Sequence, residues 1–146
     1  MVKKEKYLIL LLSVLIIVVD QFTKMLVKKL ELGKTIQLIP DFFNITYIHN
    51  YGAGFGTFQN WGFVLILISF VALGFSIYFF FKLKDNIILY LDALLIGGIL
   101  GNLIDRLAYG YVIDFLDFII WPIFNVADMM ITTSIFLLII YLWFKK

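Results

Sequence analysis

Four long apolar runs, at 7–27, 61–81, 87–104 and 119–144, constrain this chain more than any other feature. Each is close to or above the ~20 residues that cross the hydrocarbon core of a bilayer. Inside hydrocarbon every backbone N–H and C=O must be satisfied within the segment, so such runs fold as helices. Lys82–Asn86 leaves room only for a tight turn between the second and third runs. Composition agrees: 63% of residues are hydrophobic and 15% charged, against roughly half and a quarter in a soluble domain. The expectation is an all-α integral membrane protein, one membrane domain over 1–146 folded as a four-transmembrane-helix bundle.

The connections differ in character. Met1–Lys6 is basic and leads into apolar sequence, as a signal peptide does. No small-x-small cleavage site follows and apolar sequence resumes after Asp20-Gln21, so the first run reads as a retained span. The outer connection 28–60 carries Gly33, Pro40, Gly52, Gly54 and Gly56, and its 41–49 stretch places Phe43, Ile45 and Tyr47 on one side. Period-2 alternation between turn residues predicts short strands, hence a small extracytoplasmic β-rich cradle. The second outer connection, 105–118, reads as polar. Seven of the twelve basic residues lie in the N-terminus, the 82–86 turn and the C-terminus, which predicts both termini in the cytoplasm.

Several function classes are excluded. Without cysteine there is no thiol nucleophile, disulfide or thiolate-ligated metal, and the chain cannot itself carry a lipid on an N-terminal cysteine. A net charge of +2 with scattered lysines predicts no nucleic-acid partner. The single His49 has no neighbouring nucleophile, and Ser13, Ser69, Ser76 and Ser134 lie within the spans. No acidic loop has cation-ligand spacing, so neither metal nor cofactor is expected.

What remains are polar groups at membrane depth, which are costly in hydrocarbon and mark function by default. Asn102-x-x-Asp105 closes the third run, after Gly97, Gly98 and Gly101, which remove bulk and admit a neighbouring backbone. Asn125-x-x-Asp128 opens the fourth. Two such units at similar depth predict a site between helices, with Asp105 and Asp128 facing each other and sharing one proton. One carboxylate then takes a proton from water while the other donates to a carbonyl oxygen. Asp20 and Lys24 have the spacing of a helical ion pair. Asp114 and Asp117 read as a solvated face of the outer connection. Asp92, about 20 Å along the helix from Asp105, is too distant for this site and is expected to snorkel towards the cytoplasmic surface.

Five blocks make the chain resemble the bacterial lipoprotein signal peptidases (type II signal peptidases): Asp20-Gln21-x-x-Lys24, Asn50-x-Gly52-Ala53-x-Phe55-Gly56, Gly97-Gly98-x-x-Gly101-Asn102-x-x-Asp105-Arg106, Val112-x-Asp114-Phe115 and Phe124-Asn125-x-Ala127-Asp128. The resemblance implies an enzyme of the bacterial cell (inner) membrane that cleaves diacylglyceryl-modified prolipoproteins just before the modified cysteine. It implies membrane lipid as a second partner, a monomer, and a site towards the outer leaflet. It maps catalysis onto Asp105 and Asp128 and support onto Asp20, Lys24, Asn50, Gly52, Asn102, Arg106, Asp114, Asn125 and Ala127, with 30–60 as the cradle. Three positions depart from the family pattern: Gly54 replaces a second alanine, His49 a frequent arginine, and Met129 a common serine. The rival readings are a proton-coupled transporter, which needs acids spread across the membrane depth, and a scaffold whose glycines only pack helices.

Overall fold

A computed structural model describes residues 3–52 and 61–145 of the chain. Its elements run α1 (Lys3–Val27), β1 (Thr35–Ile39), β2 (Phe43–Asn50), α2 (Gly62–Lys82), α3 (Asn86–Tyr109), β3 (Val112–Asp117) and α4 (Val126–Phe144). All four helices are long and apolar enough to cross a membrane. The third is the centre of the bundle: 56% of its spanning stretch is buried, against 28% for α1 and 11% for α2 and α4. The other three pack on it. Their outward faces expose Leu15, Phe63, Phe70, Phe136 and Ile139, which suits lipid as the solvent.

The glycines of α3 set how closely its neighbours approach. A Cβ at Gly97 would lie 2.9 Å from Ile16 Cβ, and one at Gly98 would lie 2.6 Å from the Ala127 carbonyl oxygen. At Gly101 it would lie 2.6 Å from Asp20 Oδ2. Helix α1 therefore rests on Gly97 and Gly101, and α4 on Gly98. Packing, not hydrophobic exclusion, is what holds helices together in lipid, so this proximity carries stability.

The helix ends are closed by polar side chains. Asp85 caps α3, its Oδ1 accepting from the backbone N–H of Ile87 and Ile88 at 3.0 and 3.3 Å. Gly110, at φ +79°, ends α3 in the left-handed conformation that glycine adopts without strain. At the end of the bundle away from the sheet, Lys6 Nζ donates to the carbonyls of Phe80 and Phe81 at 2.7 and 2.8 Å. There Asp85 also pairs with Lys145 and accepts from Tyr141 Oη. Both ends of the described chain thus meet at the α2–α3 turn.

At the other end lies an antiparallel sheet in the order β1-β2-β3. Thr35 faces Thr46, and Asn50 faces Val112. Ile113 and Phe115 pack with Val27 and Tyr47. Strand alternation then turns Val112 and Asp114 to the opposite face.

Several expectations are corrected. Helix α3 continues to Tyr109, so Asp105 and Arg106 are helical, not part of a connection; their polar groups find partners within the protein and need not end the helix. Helix α4 begins at Val126, not at 119. Pro122 cannot donate to a helix, a bridge joins Leu116 to Phe124, and Asn125 supplies the cap. The 112–117 stretch is a largely buried strand where a solvated connection was expected. Asp92 stays half-buried near Ser76 of α2, its Oδ2 buried without a hydrogen-bond partner, and does not snorkel to the surface. Ala53, Gly54, Phe55 and Gly56 lie outside the described residues.

Replacing Gly98 by alanine is predicted to push α3 and α4 apart and lower stability by about 1–3 kcal/mol, the usual cost of overpacking. Gly74→Ala, where a Cβ would meet nothing within 4 Å, should leave the thermal midpoint in detergent unchanged.

Candidate active site

The site begins with a lysine that is only 1% exposed, Lys24 on α1. One turn earlier stands Asp20, whose Oδ2 pairs with Lys24 Nζ at 2.8 Å. Asp105 of α3 pairs with the same ammonium through Oδ2, also at 2.8 Å. The third contact of Nζ is Asn102 Oδ1 at 3.1 Å. An ammonium has three donors and no acceptor, so this lysine is saturated. Each acid in turn fixes another element. Asp20 Oδ1 accepts from the Ala127 backbone N–H at 2.8 Å, holding the first turn of α4 to α1. Asp105 Oδ2 accepts from Ile113 N–H at 3.1 Å, and its Oδ1 from Gln21 Nε2 at 2.9 Å, which fixes the start of β3.

Two asparagines carry the network onward. Asn102 Nδ2 donates to Asp128 Oδ1 at 2.7 Å. Asn125 Nδ2 donates to Asp114 Oδ1 at 2.7 Å and to Asn102 Oδ1 at 3.0 Å. The Asn125-x-x-Asp128 spacing is also a capping box: Asn125 Oδ1 accepts from Asp128 N–H at 2.9 Å, and Asp128 Oδ2 accepts from Asn125 N–H at 3.3 Å. Asn50 Nδ2 completes the shell of Asp114, donating to Oδ2 at 2.9 Å, and Asn50 Oδ1 accepts from Gly52 N–H.

Asp114 and Asp128 line one cavity of about 400 Å³, together with Asn50 and Arg106. Its remaining walls include Trp121, Phe124, Met129, Thr132 and Thr133. Arg106 Nη2 donates to the Gly52 carbonyl at 3.3 Å. Burial, reinforced by the charge of Asp128, pushes the Asp114 carboxyl up to about 7. The cavity therefore joins two carboxyls, one of them half-protonated near neutrality, to an arginine and an apolar wall. A carboxyl poised to hold a proton beside a second carboxyl is equipped for general acid–base work.

The pairing expected from the sequence is not the one the geometry brings together. Asp105 borders a different cavity, of about 330 Å³, with Lys24, Gln21 and Tyr109, and both its oxygens are already engaged. Residues three apart on a helix are offset by about 60° around its axis. Because α3 is wedged between α1 and α4, that offset sets Asn102 between Lys24 and Asp128 and turns Asp105 to α1 and β3. Asp114, read from sequence as solvated, is 1% exposed.

Of the other expected site residues, Asp20, Lys24 and Ala127 lie behind the network, Asn50 and Arg106 line the cavity, and Gly52 accepts from Arg106. Gln21, Trp121, Phe124, Thr132 and Thr133 were missed. Gln21 and Phe124 stand in two of the family blocks but were assigned no role, and Thr132 carried a signal by lying one turn beyond Asp128 on the same helix face. His49 lies outside the cavity; its Nε2 meets Tyr47 Oη at 2.9 Å and its ring stacks on Tyr111 at 3.7 Å. Met129 lines the cavity where the family pattern has serine. Among the described residues no group of acids and histidine could hold a metal ion.

Comparison with known proteins agrees with this architecture. The family model for signal peptidase (SPase) II matches residues 12–144. The chain is 40% identical over 138 residues to the lipoprotein signal peptidase of Halothermothrix orenii, covering 93% of this chain and 95% of the relative. With that of Thermodesulfovibrio yellowstonii it shares 44% identity over 138 residues, covering 90% and 91%. Two bacterial membrane enzyme structures solved by the in meso method match with TM-scores of 0.89 and 0.85, each at 34% identity. The first match covers 92% of this chain and 87% of the other, and the second 94% of both. The buried polar network is thus the interior of a membrane peptidase, and the chain belongs to the signal peptidase II family.

Proposed function

We propose that the protein is an aspartic endopeptidase that removes the signal peptide from prolipoproteins before the diacylglyceryl-modified cysteine, with Asp114 and Asp128 as its carboxyl pair. The observation that carries this reading is their shared cavity. Both present oxygens to one space, each held by an asparagine N–H, with Arg106 beside them. Asp105, the partner the sequence suggested, serves to hold Lys24 and β3. The substrate class rests on the names of the relatives, which are lipoprotein signal peptidases across nearly their full length.

In this mechanism Asp128 is the ionised member and Asp114 the protonated one at rest. Asp128 takes a proton from water as that water attacks the scissile carbonyl. Asp114 donates to the carbonyl oxygen, giving a tetrahedral diol. As the C–N bond breaks, the proton held by Asp128 passes to the departing amine and one diol hydroxyl returns its proton to Asp114. Arg106 and the two asparagine amides face the charge that develops, and they are positioned before substrate arrives. The Trp121, Phe124 and Met129 wall suits an apolar signal segment, with the lipid chains remaining in the bilayer. The site is built wholly within one chain, which supports action as a monomer. With both termini in the cytoplasm, the sheet end and the cavity face the outer leaflet of the bacterial cell membrane.

The test is cleavage of a diacylglyceryl-modified prolipoprotein by purified protein in detergent with chelator present. Asp114→Asn and Asp128→Asn are each expected to lower kcat by about 10³-fold or more with the thermal midpoint retained. Asp105→Asn is expected to act first on stability, costing on the order of 3 kcal/mol because the amide cannot accept from Lys24, Gln21 and Ile113 N–H together. Full activity in Asp114→Asn would remove that residue from the pair. Unchanged turnover in every variant would favour a scaffold.

The pH dependence has a definite sign. Asp114 carries its proton below about 7 and loses it above, so kcat/KM should fall as pH rises through that value. A second, opposite limb should appear where Asp128 takes up a proton. A profile flat from pH 5 to 9 would rule out the shared-proton arrangement.

A further inference from the structure

We infer that Lys24 is a positioning residue that sets which way the Asn102 amide points, and so decides whether Asp128 receives an N–H donor or faces a carbonyl oxygen. The inference rests on the assignment of Asp128 to the carboxyl pair and adds what holds that carboxyl in order.

A side-chain amide has two nearly isosteric ends, and only its neighbours decide which end faces where. Asn102 stands between Lys24 and Asp128, with Oδ1 3.1 Å from Lys24 Nζ and Nδ2 2.7 Å from Asp128 Oδ1. A buried ammonium can only donate, so the end of Asn102 that meets Lys24 must be the oxygen. The opposite end, facing Asp128, must then be the N–H. The same oxygen accepts from Asn125 Nδ2 at 3.0 Å, which leaves the Asn125 amide donating to Asp114 as well. The Asn125 amide is held the same way round by the Asp128 N–H on its Oδ1, so what the cation sets is the direction of Asn102, and through it the donor on Asp128.

Lys24 cannot drift from this task, because its two other donors are held by Asp20 and Asp105 at 2.8 Å. Those acids are fixed in turn by Ala127 N–H and Ile113 N–H. Lys24 lines the 330 Å³ cavity and takes no part in lining the one shared by Asp114 and Asp128. It is therefore placed to act through Asn102 and not on substrate.

The test is a double-mutant cycle with chemical rescue. Asn102→Asp keeps an acceptor towards Lys24 and Asn125 and adds a charge partner for the lysine, so the fold should hold. It removes the donor to Asp128 Oδ1, and kcat should fall about 10²-fold, the usual effect of losing one oriented donor, with KM unchanged. Lys24→Met should give a similar loss in kcat. The two losses should not add in the double variant, since each breaks the same relay.

The chain has no cysteine, so Lys24→Cys offers a single thiol for alkylation. Bromoethylamine, which rebuilds an ammonium of nearly the same length, should restore kcat. Iodoacetamide, which leaves an amide of similar bulk, should not. Equal rescue by both reagents, or losses that multiply in the double variant, would overturn the relay. If Lys24→Met does not fold, Asn102→Asp alone decides: unchanged kcat overturns the inference. Failure of the carboxyl-pair reading would show separately, as Asp128→Asn retaining full turnover.

Discussion

The buried ammonium of Lys24 is the interaction on which the rest of the structure depends. Placing a charge in this interior is affordable only if every donor is met, and all three are: by Asp20 on the same helix and by Asp105 and Asn102 on α3. Because the two acids reach on to Ala127 and Ile113, one charge ties α1 to α3, to the start of α4 and to β3. Removing either acid leaves a donor of the buried ammonium and a backbone N–H without an acceptor, the expensive outcome in an interior. The network is therefore held together by the penalty for breaking it as much as by the attraction within it.

That network requires helix backbones closer than ordinary side chains permit. The glycines of α3 supply the space: Gly101 seats the Asp20 carboxylate, and Gly98 seats the Ala127 carbonyl. In lipid such close contact must stand in for the hydrophobic drive available in water. Packing and polar chemistry meet at the same residues. Asp20 fills the space left by Gly101 and caps α4 with one carboxylate, so the small-residue face and the acid work as one unit.

The sheet performs a different service. Strand β3 carries Asp114 into the cavity by simple alternation, because Ile113 and Phe115 bury the other face against Val27 and Tyr47. Its neighbour β2 brings Asn50 to within 2.9 Å of the same carboxyl. A carboxyl delivered by a strand thus meets one delivered by a helix N-terminus. Burial then holds the first near neutrality while the second sits among donors.

Much of this was legible in the residues alone. Length and apolarity determined four spanning helices, since hydrocarbon leaves the backbone no other option. Alternation over 41–49 marked β2, and the repeated Asn-x-x-Asp spacing marked the helices that bear on the site. Which acids share a cavity was decided only by the tertiary structure. Asn102 and Asp105 are near neighbours along the chain, yet their offset around α3 lets one reach Asp128 on α4 while the other faces α1 and β3. Asp114 looked solvated because one polar residue in a short connection carries no sign of burial. Its fate depended on β2 pairing alongside and on Asn125 reaching across, contacts between residues 64 and 11 positions apart in the chain. Local pattern determines which residues are helical or extended, because backbone satisfaction is local. The meeting of side chains is set by packing angles and register, which no single segment contains.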